Sequence, residues 1–415
     1  MNSTNSQIES NKVVCNDYAI CDARKSLISA MQINSENGHE NNGFLSEEFG
    51  FMPAHKPVTN LPESHHVWDK VANDLPLLYR QQSLRSVLDS MSVLSADSEA
   101  LNDKYLCRAS VLMSMFAHAY IRVEKKPVLE IPESIQSPWK QITRRLNRPE
   151  PFLSYMDLIV YNWKVRDSSI TDFMRVENMD LLVPTVNNQE ERVFYLTQVE
   201  ILSQTSPVVM CVIRAQEAVI RKDNQVLINE LIAIKNIITK ITRTSLFKIN
   251  PRPTSKTYVD PIVWAKTVAP FAVPLKEDVQ GPSGTSSPFF HLMDVFLQRV
   301  KYEPILGQES LRIREWYPVN LRNFLEAVEQ VSVPEYVKNA NDSTLLEAYN
   351  DMFNSYAGNH GFLGVHKRKV YGYLQMAFKV GRSVTIDGFQ GLFEDQTWQE
   401  VDNQLEETRC ERPVS

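Results

Sequence analysis

Apolar residues recur at helical spacing over long stretches of this 415-residue sequence. The clearest stretch covers residues 218–246, and its apolar face consists of Val226, Leu227, Leu231, Ile234, Ile238 and Ile241. Steps of three and four residues are typical of an amphipathic helix that buries one face. Strands do not alternate with helices, so the pattern predicts an all-α protein and disfavours a Rossmann or barrel fold.

Apolar residues recur at helical spacing in some other segments and show no regular spacing in the N-terminal residues. Residues 84–91 and 106–119 also show helical spacing, whereas residues 193–201 fit either a strand or a buried helix. Residues 1–43 are rich in Asn, Ser, Glu and Gln and lack a sustained apolar period, so we expect a disordered arm there.

Charge and cysteine content limit the possible partners. The net charge is −6 and no cluster of Lys and Arg dominates, which argues against nucleic acid and membrane surfaces as partners. The five cysteines are odd in number and form no CxxC pair. This pattern argues against a zinc site or a disulfide framework and favours a reducing cytoplasm.

Known catalytic motifs built from protein side chains are missing. The sequence contains no GxSxG, HExxH, P-loop, GxGxxG or EF-hand pattern. None of the eight histidines forms a close pair at helical spacing, so a site with several histidines would have to combine distant segments. A cofactor such as haem needs only one well-placed histidine.

His366 is the best candidate for that single ligand. On a helix it shares one face with Val370, Leu374 and Phe378, while residues 367–369 are basic and lie on the flanks. An imidazole directed into an apolar interior stays neutral and can bind iron. The alternative is a hydrogen-bonded core histidine, and His360 is the rival ligand.

The loop at residues 281–287 is small and rich in hydroxyl groups. Its glycines allow the backbone to approach a ligand closely, and its hydroxyls can donate hydrogen bonds to carboxylates. The alternative is a flexible surface linker.

Seven segments, in this order, resemble the indoleamine 2,3-dioxygenase family. They are residues 50–53 with 60–62, Arg108 with 117–120, residues 154–163, residues 194–196 with Glu200, residues 281–285 with Asp294, Arg314 with Pro318 and 322–325, and His366 with Val370 and Tyr373. The resemblance runs from about residue 44 to residue 374.

The resemblance implies a two-domain, all-α fold with haem b between the domains. We expect a small helical domain at 44–182, a large haem-binding domain at 183–379, and an extension at 380–415 that packs on the large domain. His366 would ligate the iron. The other residues expected at the cofactor are Ser283, Gly284, Thr285, Ser286 and Arg314. Those expected at the substrate are Tyr155, Leu158, Ile159, Phe194, Tyr195, Gly284, Thr285 and Arg382.

The implied activity is insertion of dioxygen into the indole ring of tryptophan or a related indole, as in the formation of N-formylkynurenine. No protein side chain is needed as a catalytic base, and a monomer or homodimer is expected. A related branch instead rearranges tryptophan-derived substrates, as in pyrrolnitrin biosynthesis. A non-catalytic haem sensor and a helical interaction protein without a cofactor are further alternatives.

Two departures from the family concern arginines. The family's carboxylate-binding arginine has no counterpart within residues 257–264, and the arginine expected three residues before the proximal histidine is Leu363. Lysine or a neutral residue does this bidentate work poorly. Arg252 and Arg382 are the candidate replacements, although for each one alone a solvated surface arginine is the favoured interpretation.

Overall fold

The computed structural model describes residues 20–122, 128, 130–276, 279, 281–299, 312–379, 403 and 406. Its helices are α1 (Asp22–Asn37), α2 (His66–Gln81), α3 (Leu84–Ser90), α4 (Leu106–Arg122), α5 (Glu133–Arg145), α6 (Gln189–Gln204), α7 (Ser206–Arg221), α8 (Asn224–Thr244), α9 (Pro261–Val263), α10 (Ala269–Ala272), α11 (Pro288–Phe296), α12 (Val319–Glu329), α13 (Val333–Asn339), α14 (Ser343–Ala357) and α15 (Phe362–Lys379). Short helical turns of other types connect them. The π turns are Met156–Val160 and Trp264–Val268, and the 3₁₀ turns are Glu63–His65, Asp103–Tyr105, Val176–Asn178, Leu246–Lys248 and Gly284–Ser286.

The described residues contain one short β-ribbon. Strand β1 (Trp163–Val165) pairs antiparallel with β2 (Met179–Leu181), with Trp163 opposite Leu181. The indole N–H of Trp163 donates to the carbonyl of Val160 at 2.8 Å, which ties the ribbon to the preceding π turn. Strands of three residues form no layer of their own, so the core consists of helix packed on helix. The all-α prediction is confirmed.

Helix α4 lies at the centre of this core. Leu106 and almost every residue from Arg108 to Tyr120 are buried, as is typical of a helix surrounded by others. The Nδ1–H of His118 donates to the carbonyl of Phe271 at 2.6 Å. Burial lowers the pKa of His118 to about 4, so this histidine is neutral at physiological pH and serves as a satisfied structural residue.

The helix predicted over residues 218–246 is in fact two helices. Helix α7 ends at Arg221, and Lys222 takes a left-handed conformation with φ of 56°. The carboxylate of Asp223 then accepts the backbone N–H of Val226 at 3.0 Å and begins α8. The predicted apolar face of α8 is buried except for Val226, which is partly buried, and the helix packs against α7 and α14.

The disordered arm predicted for residues 1–43 is wrong for residues 22–37. These residues form α1, which buries Ala23, Leu27 and Ala30 and packs against α12. Small residues at helical spacing make a narrow apolar stripe, and the many polar residues around it hid this stripe from the sequence analysis. Residues 1–19 lie outside the described residues.

Residues 193–201 belong to α6, which settles the choice between strand and helix. By length and composition alone, the helical stretch Gln189–Arg221 would be sufficient to cross a membrane. In the fold this stretch is divided between α6 and α7 near Pro207. Of its most apolar 18-residue segment, 67% is buried inside the protein. That burial is typical of core helices.

Asp69 joins two of the segments that carry the family resemblance. Its carboxylate accepts the backbone N–H of Leu61 at 2.6 Å, and it receives two N–H groups from Arg108 at 3.2 and 2.9 Å. Both charged side chains are buried, Asp69 completely. A buried charge needs such a partner, so the pair holds the opening segment against α4.

We expect Asp69→Ala to lower the free energy of unfolding by about 3–5 kcal/mol, because Arg108 would remain buried without its partner. Urea unfolding measures this change. Asp74→Ala is the matched control, since Asp74 lies on the same helix and is exposed. It should change stability by less than about 0.5 kcal/mol. Equal stability of the two variants would contradict the role of the pair.

Candidate haem and substrate site

His366 lies on the first turns of α15, and its imidazole is desolvated. Burial lowers the pKa of His366 to about 4, although the residue as a whole keeps some exposure. Neither ring nitrogen has a hydrogen-bond partner among the described residues. The side chain is therefore a neutral imidazole with a free lone pair, which is the form that binds iron.

Aromatic rings surround this imidazole. Phe290 of α11 lies edge-on to the ring with centroids 5.3 Å apart, and Phe362 lies parallel to it at 6.5 Å with 8° between the planes. Tyr373, two turns further along α15, is buried and donates from its hydroxyl to the carbonyl of Val259. The apolar surroundings predicted for His366 are present.

The rival histidine occupies a different environment. His360 is exposed in the turn between α14 and α15. Of the basic residues after His366, Lys367 pairs with Glu406 at 2.9 Å, and Arg368 donates to the carbonyl of Asn359. These groups are satisfied at the surface side of the helix. Exposure makes His360 the poorer ligand for a buried cofactor.

The loop at residues 281–286 lies directly against His366. An ideal Cβ at Gly284 would be 3.3 Å from His366 Nε2. The hydroxyl of Ser286 donates to the carbonyl of Gly281, and the hydroxyl of Tyr317 donates to the carbonyl of Ser286 at 2.7 Å. The loop is thus held in place by hydrogen bonds, and the interpretation as a flexible linker is wrong.

Arg314 has one guanidinium nitrogen, Nη2, that makes no hydrogen bond with the described residues. Its Nε donates to Nδ1 of His291 at 3.3 Å, and its Nη1 pairs with Glu329 at 2.7 Å. Its Nη2 is buried and has no hydrogen-bond partner. A buried guanidinium donor without a partner is costly, so Arg314 is suited to receive an anionic group such as a propionate.

These residues fit haem on three counts. His366 offers a neutral nitrogen without a partner, Gly284 leaves the space beside that nitrogen free of a side chain, and Arg314 offers a buried cationic donor. Any cofactor that binds at Nε2 shares this space with the backbone of Gly284. Glycine is the residue that leaves it the most room.

A small cleft of about 20 Å³ opens beside the same loop. It is lined by Arg148, Phe152, Ser154, Tyr155, Met156, Gly281, Ser286, Ile313, Trp316, Tyr317 and Pro318. The side chains of Tyr155 and Ser287, the residue after the loop, lie close together. Residues 148–156 therefore meet the loop and the segment before α12 across this cleft. Contact between Tyr155 and a substrate stays a prediction.

The other residues predicted for the substrate pocket lie outside this cleft. Leu158 and Ile159 are completely buried in the π turn, and Tyr195 is buried in α6. Phe194 is half-buried, and its ring lies 5.0 Å from that of Trp264. Whether these four side chains contact a substrate stays a prediction.

Several predicted contacts lie where the structure gives no description. The side chains of Thr285, Val370 and Phe378 and the whole of Arg382 are outside the described residues. Arg252 is described and exposed, as expected for a solvated surface arginine.

Sequence reasoning missed the partners that hold the site together. His291, Tyr317 and Glu329 secure the loop and Arg314, and Arg299 pairs with Asp294. Motifs did not reveal them because each acts through tertiary contacts. Asp294, already matched to the family, pointed to a buried carboxylate that would need a cation.

Comparison with known proteins assigns the chain to a family. The family model for indoleamine 2,3-dioxygenase matches residues 42–357. The chain is 22% identical over 354 residues to indoleamine 2,3-dioxygenase 2 of Homo sapiens, covering 80% of this chain and 83% of that protein. It is 27% identical over 338 residues to indoleamine 2,3-dioxygenase 1 of Mus musculus, covering 75% and 79%.

A fungal relative gives a similar result. Indoleamine 2,3-dioxygenase of Saccharomyces cerevisiae is 26% identical over 351 residues, covering 76% of this chain and 77% of the relative. The fold is the all-α fold of this family, and the relatives support a dioxygenase of the oxidoreductase class. The chain belongs to the indoleamine 2,3-dioxygenase family and is a divergent member of it. The match to the family model ends at residue 357, before His366. The assignment of His366 as ligand therefore rests on the site itself.

We expect Gly284→Val to weaken haem binding by roughly tenfold or more, because added methyl groups beside His366 Nε2 cost about 1–3 kcal/mol. Titration of the purified apoprotein with haem, followed by Soret absorbance, measures this effect. Gly372→Val is the control, since a Cβ at Gly372 meets nothing within 4 Å. Unchanged haem affinity in Gly284→Val would show that the loop does not border the cofactor.

Proposed function

We propose that the protein is a haem-dependent dioxygenase that inserts dioxygen into the ring of an indole. The observation that carries this proposal is the desolvated imidazole of His366, which has no hydrogen-bond partner among the described residues and faces a glycine loop. Membership of the indoleamine 2,3-dioxygenase family supports it.

The protein's own residues hold and orient the reactants. Haem supplies the oxidising chemistry when bound. His366 would hold the iron through a neutral nitrogen, and the free donor of Arg314 would balance the negative charge of a propionate. The apolar residues around His366 exclude water, which strengthens each electrostatic interaction inside the site.

The cleft beside Tyr155 is the proposed entry side for the indole. Phe152 and Trp316, which line it, lie edge to face with centroids 4.7 Å apart. A planar aromatic substrate gains from burial and from edge contacts with such rings. The side chain of Tyr155 is buried beside Ser287, which limits the orientations that its ring can take.

The segment that carries the carboxylate-binding arginine in the family is neutral or acidic here. Val259 is completely buried, and Asp260 accepts hydrogen bonds from the hydroxyl of Tyr258 and two backbone N–H groups. These bonds lower the pKa of Asp260, so it stays ionised. Within residues 250–264 the cations are Arg252 and Lys256, and both are exposed. A buried carboxylate without a cation is costly, so we propose an indole substrate without a carboxylate.

The extension at residues 380–415 is proposed to pack on the large domain. The ion pair between Lys367 and Glu406 supports this, because it brings one residue of the extension to α15. The proposed role of Arg382 at the substrate falls outside the described residues.

We expect His366→Ala to abolish stoichiometric haem binding, because the iron would lose its only proposed protein ligand. Soret absorbance per protein measures the occupancy. His360→Ala is the matched control, since this exposed histidine lies on the adjacent turn, and it should retain full occupancy. A His366→Ala protein with unchanged occupancy and spectrum would rule out the assignment.

We expect the reduced, haem-loaded protein to add two oxygen atoms to an indole that lacks a carboxylate, such as tryptamine. The KM for tryptamine should be roughly tenfold or more below that for L-tryptophan, because charged hydrogen bonds to the carboxylate are missing. Mass spectrometry of both reactions gives the answer. Efficient cleavage of L-tryptophan would refute the substrate proposal, and a product without two added oxygen atoms would indicate rearrangement.

A further inference from the structure

Asp294 of α11 is buried and paired with a cation. Its carboxylate pairs with Nη1 of Arg299 at 3.0 Å, and Arg299 has an exposed fraction of 0%. This cation comes from the segment just after α11.

Tyr356 at the end of α14 connects this ion pair to the aromatic residues. Its hydroxyl donates to Oδ1 of Asp294 at 3.1 Å, and the guanidinium of Arg299 lies over its ring at 5.5 Å from the centroid. The tyrosine is completely buried. The carboxylate of Asp294 thus holds the hydroxyl of Tyr356, and the guanidinium of Arg299 contacts the face of its ring.

Three parallel rings continue from that point to the candidate ligand. Tyr356 and Phe362 have centroids 6.4 Å apart and planes 7° apart, and Phe362 and His366 have centroids 6.5 Å apart and planes 8° apart. We call Tyr356, Phe362 and His366 the stacked column. Phe289 lies edge-on to Tyr356 and Phe362, each at 88°, and prevents them from sliding.

We propose that Arg299 is a positioning residue that sets the orientation of the His366 imidazole through the stacked column. The proposal rests on the proposed function of His366 as the axial ligand. A metal-bound histidine is usually oriented by a hydrogen bond from its second ring nitrogen. Here no such bond exists among the described residues, so orientation depends on ring packing.

The physical reason lies in the soft torsion of the imidazole. Rotation about the bond between Cβ and the ring is broad, so packing or hydrogen bonding must select one angle. Phe362 selects the angle by lying parallel to the ring, and Tyr356 holds Phe362 in turn. Removing the Arg299 guanidinium takes one charged hydrogen bond from the carboxylate of Asp294 and the cation from the face of Tyr356, so the carboxylate and Tyr356 have to rearrange.

The main experiment compares Arg299→Met with Arg299→Lys, which keeps a cation at the same position. Arg299→Met should release haem roughly 10–100 times faster than the unmodified protein and should shift the iron–histidine stretching band of the ferrous form. Arg299→Lys should stay closer to the unmodified protein in both properties.

Phe362→Leu tests the column without touching the ion pair. It should shift the same band, and this variant keeps the proposal falsifiable if Arg299→Met fails to fold. Asp69→Ala is a control for lowered stability alone, because its ion pair is remote in sequence and shares no residue with the column. It should leave the band unchanged.

An unshifted band in Phe362→Leu, or an Arg299→Met protein with unchanged haem release and band, would overturn the positioning role. The failure of the proposed function has a different signature. In that case the unmodified protein binds no haem, or His366→Ala binds it with an unchanged spectrum, whatever residue occupies position 299.

Discussion

Desolvation of the His366 imidazole is the constraint on which the rest of the site depends. Transfer of an imidazole to an apolar interior penalises the charged form, and this lowers its pKa to about 4. Such a ring is costly to bury without a partner, so its surroundings have to compensate. Aromatic rings pack beside it, and the glycine at position 284 leaves the space next to its Nε2 free of a side chain. The arrangement makes sense for a nitrogen that binds an exogenous group.

Buried charges show how distant segments are joined around this centre. Asp69 links the opening segment to α4 through Arg108, and Asp294 links α11 to α14 through Arg299 and Tyr356. Each pair offsets the cost of burying its charges. Pairing depends on the three-dimensional arrangement, because the fold has to bring the cation to the carboxylate.

Much of the fold was predictable because helical periodicity records which face is buried. The faces of α4 and α8 and the apolar environment of His366 followed from spacing alone. The break at Lys222 did not, because a single left-handed residue leaves the periodicity on either side almost unchanged. Helix α1 was missed since its buried stripe consists of two alanines and a leucine, whose burial depends on α12 being there to cover them.

By itself, the sequence determined the helical class, the histidine that faces the interior and the hydroxyl-rich loop, because each depends on local residue type and spacing. Only the tertiary structure decided that the loop lies against His366, that His360 is exposed and that Arg299 serves Asp294. These facts depend on distances between residues far apart in the chain. Local propensity carries no information on such distances, and they are selected by the packing of the whole core.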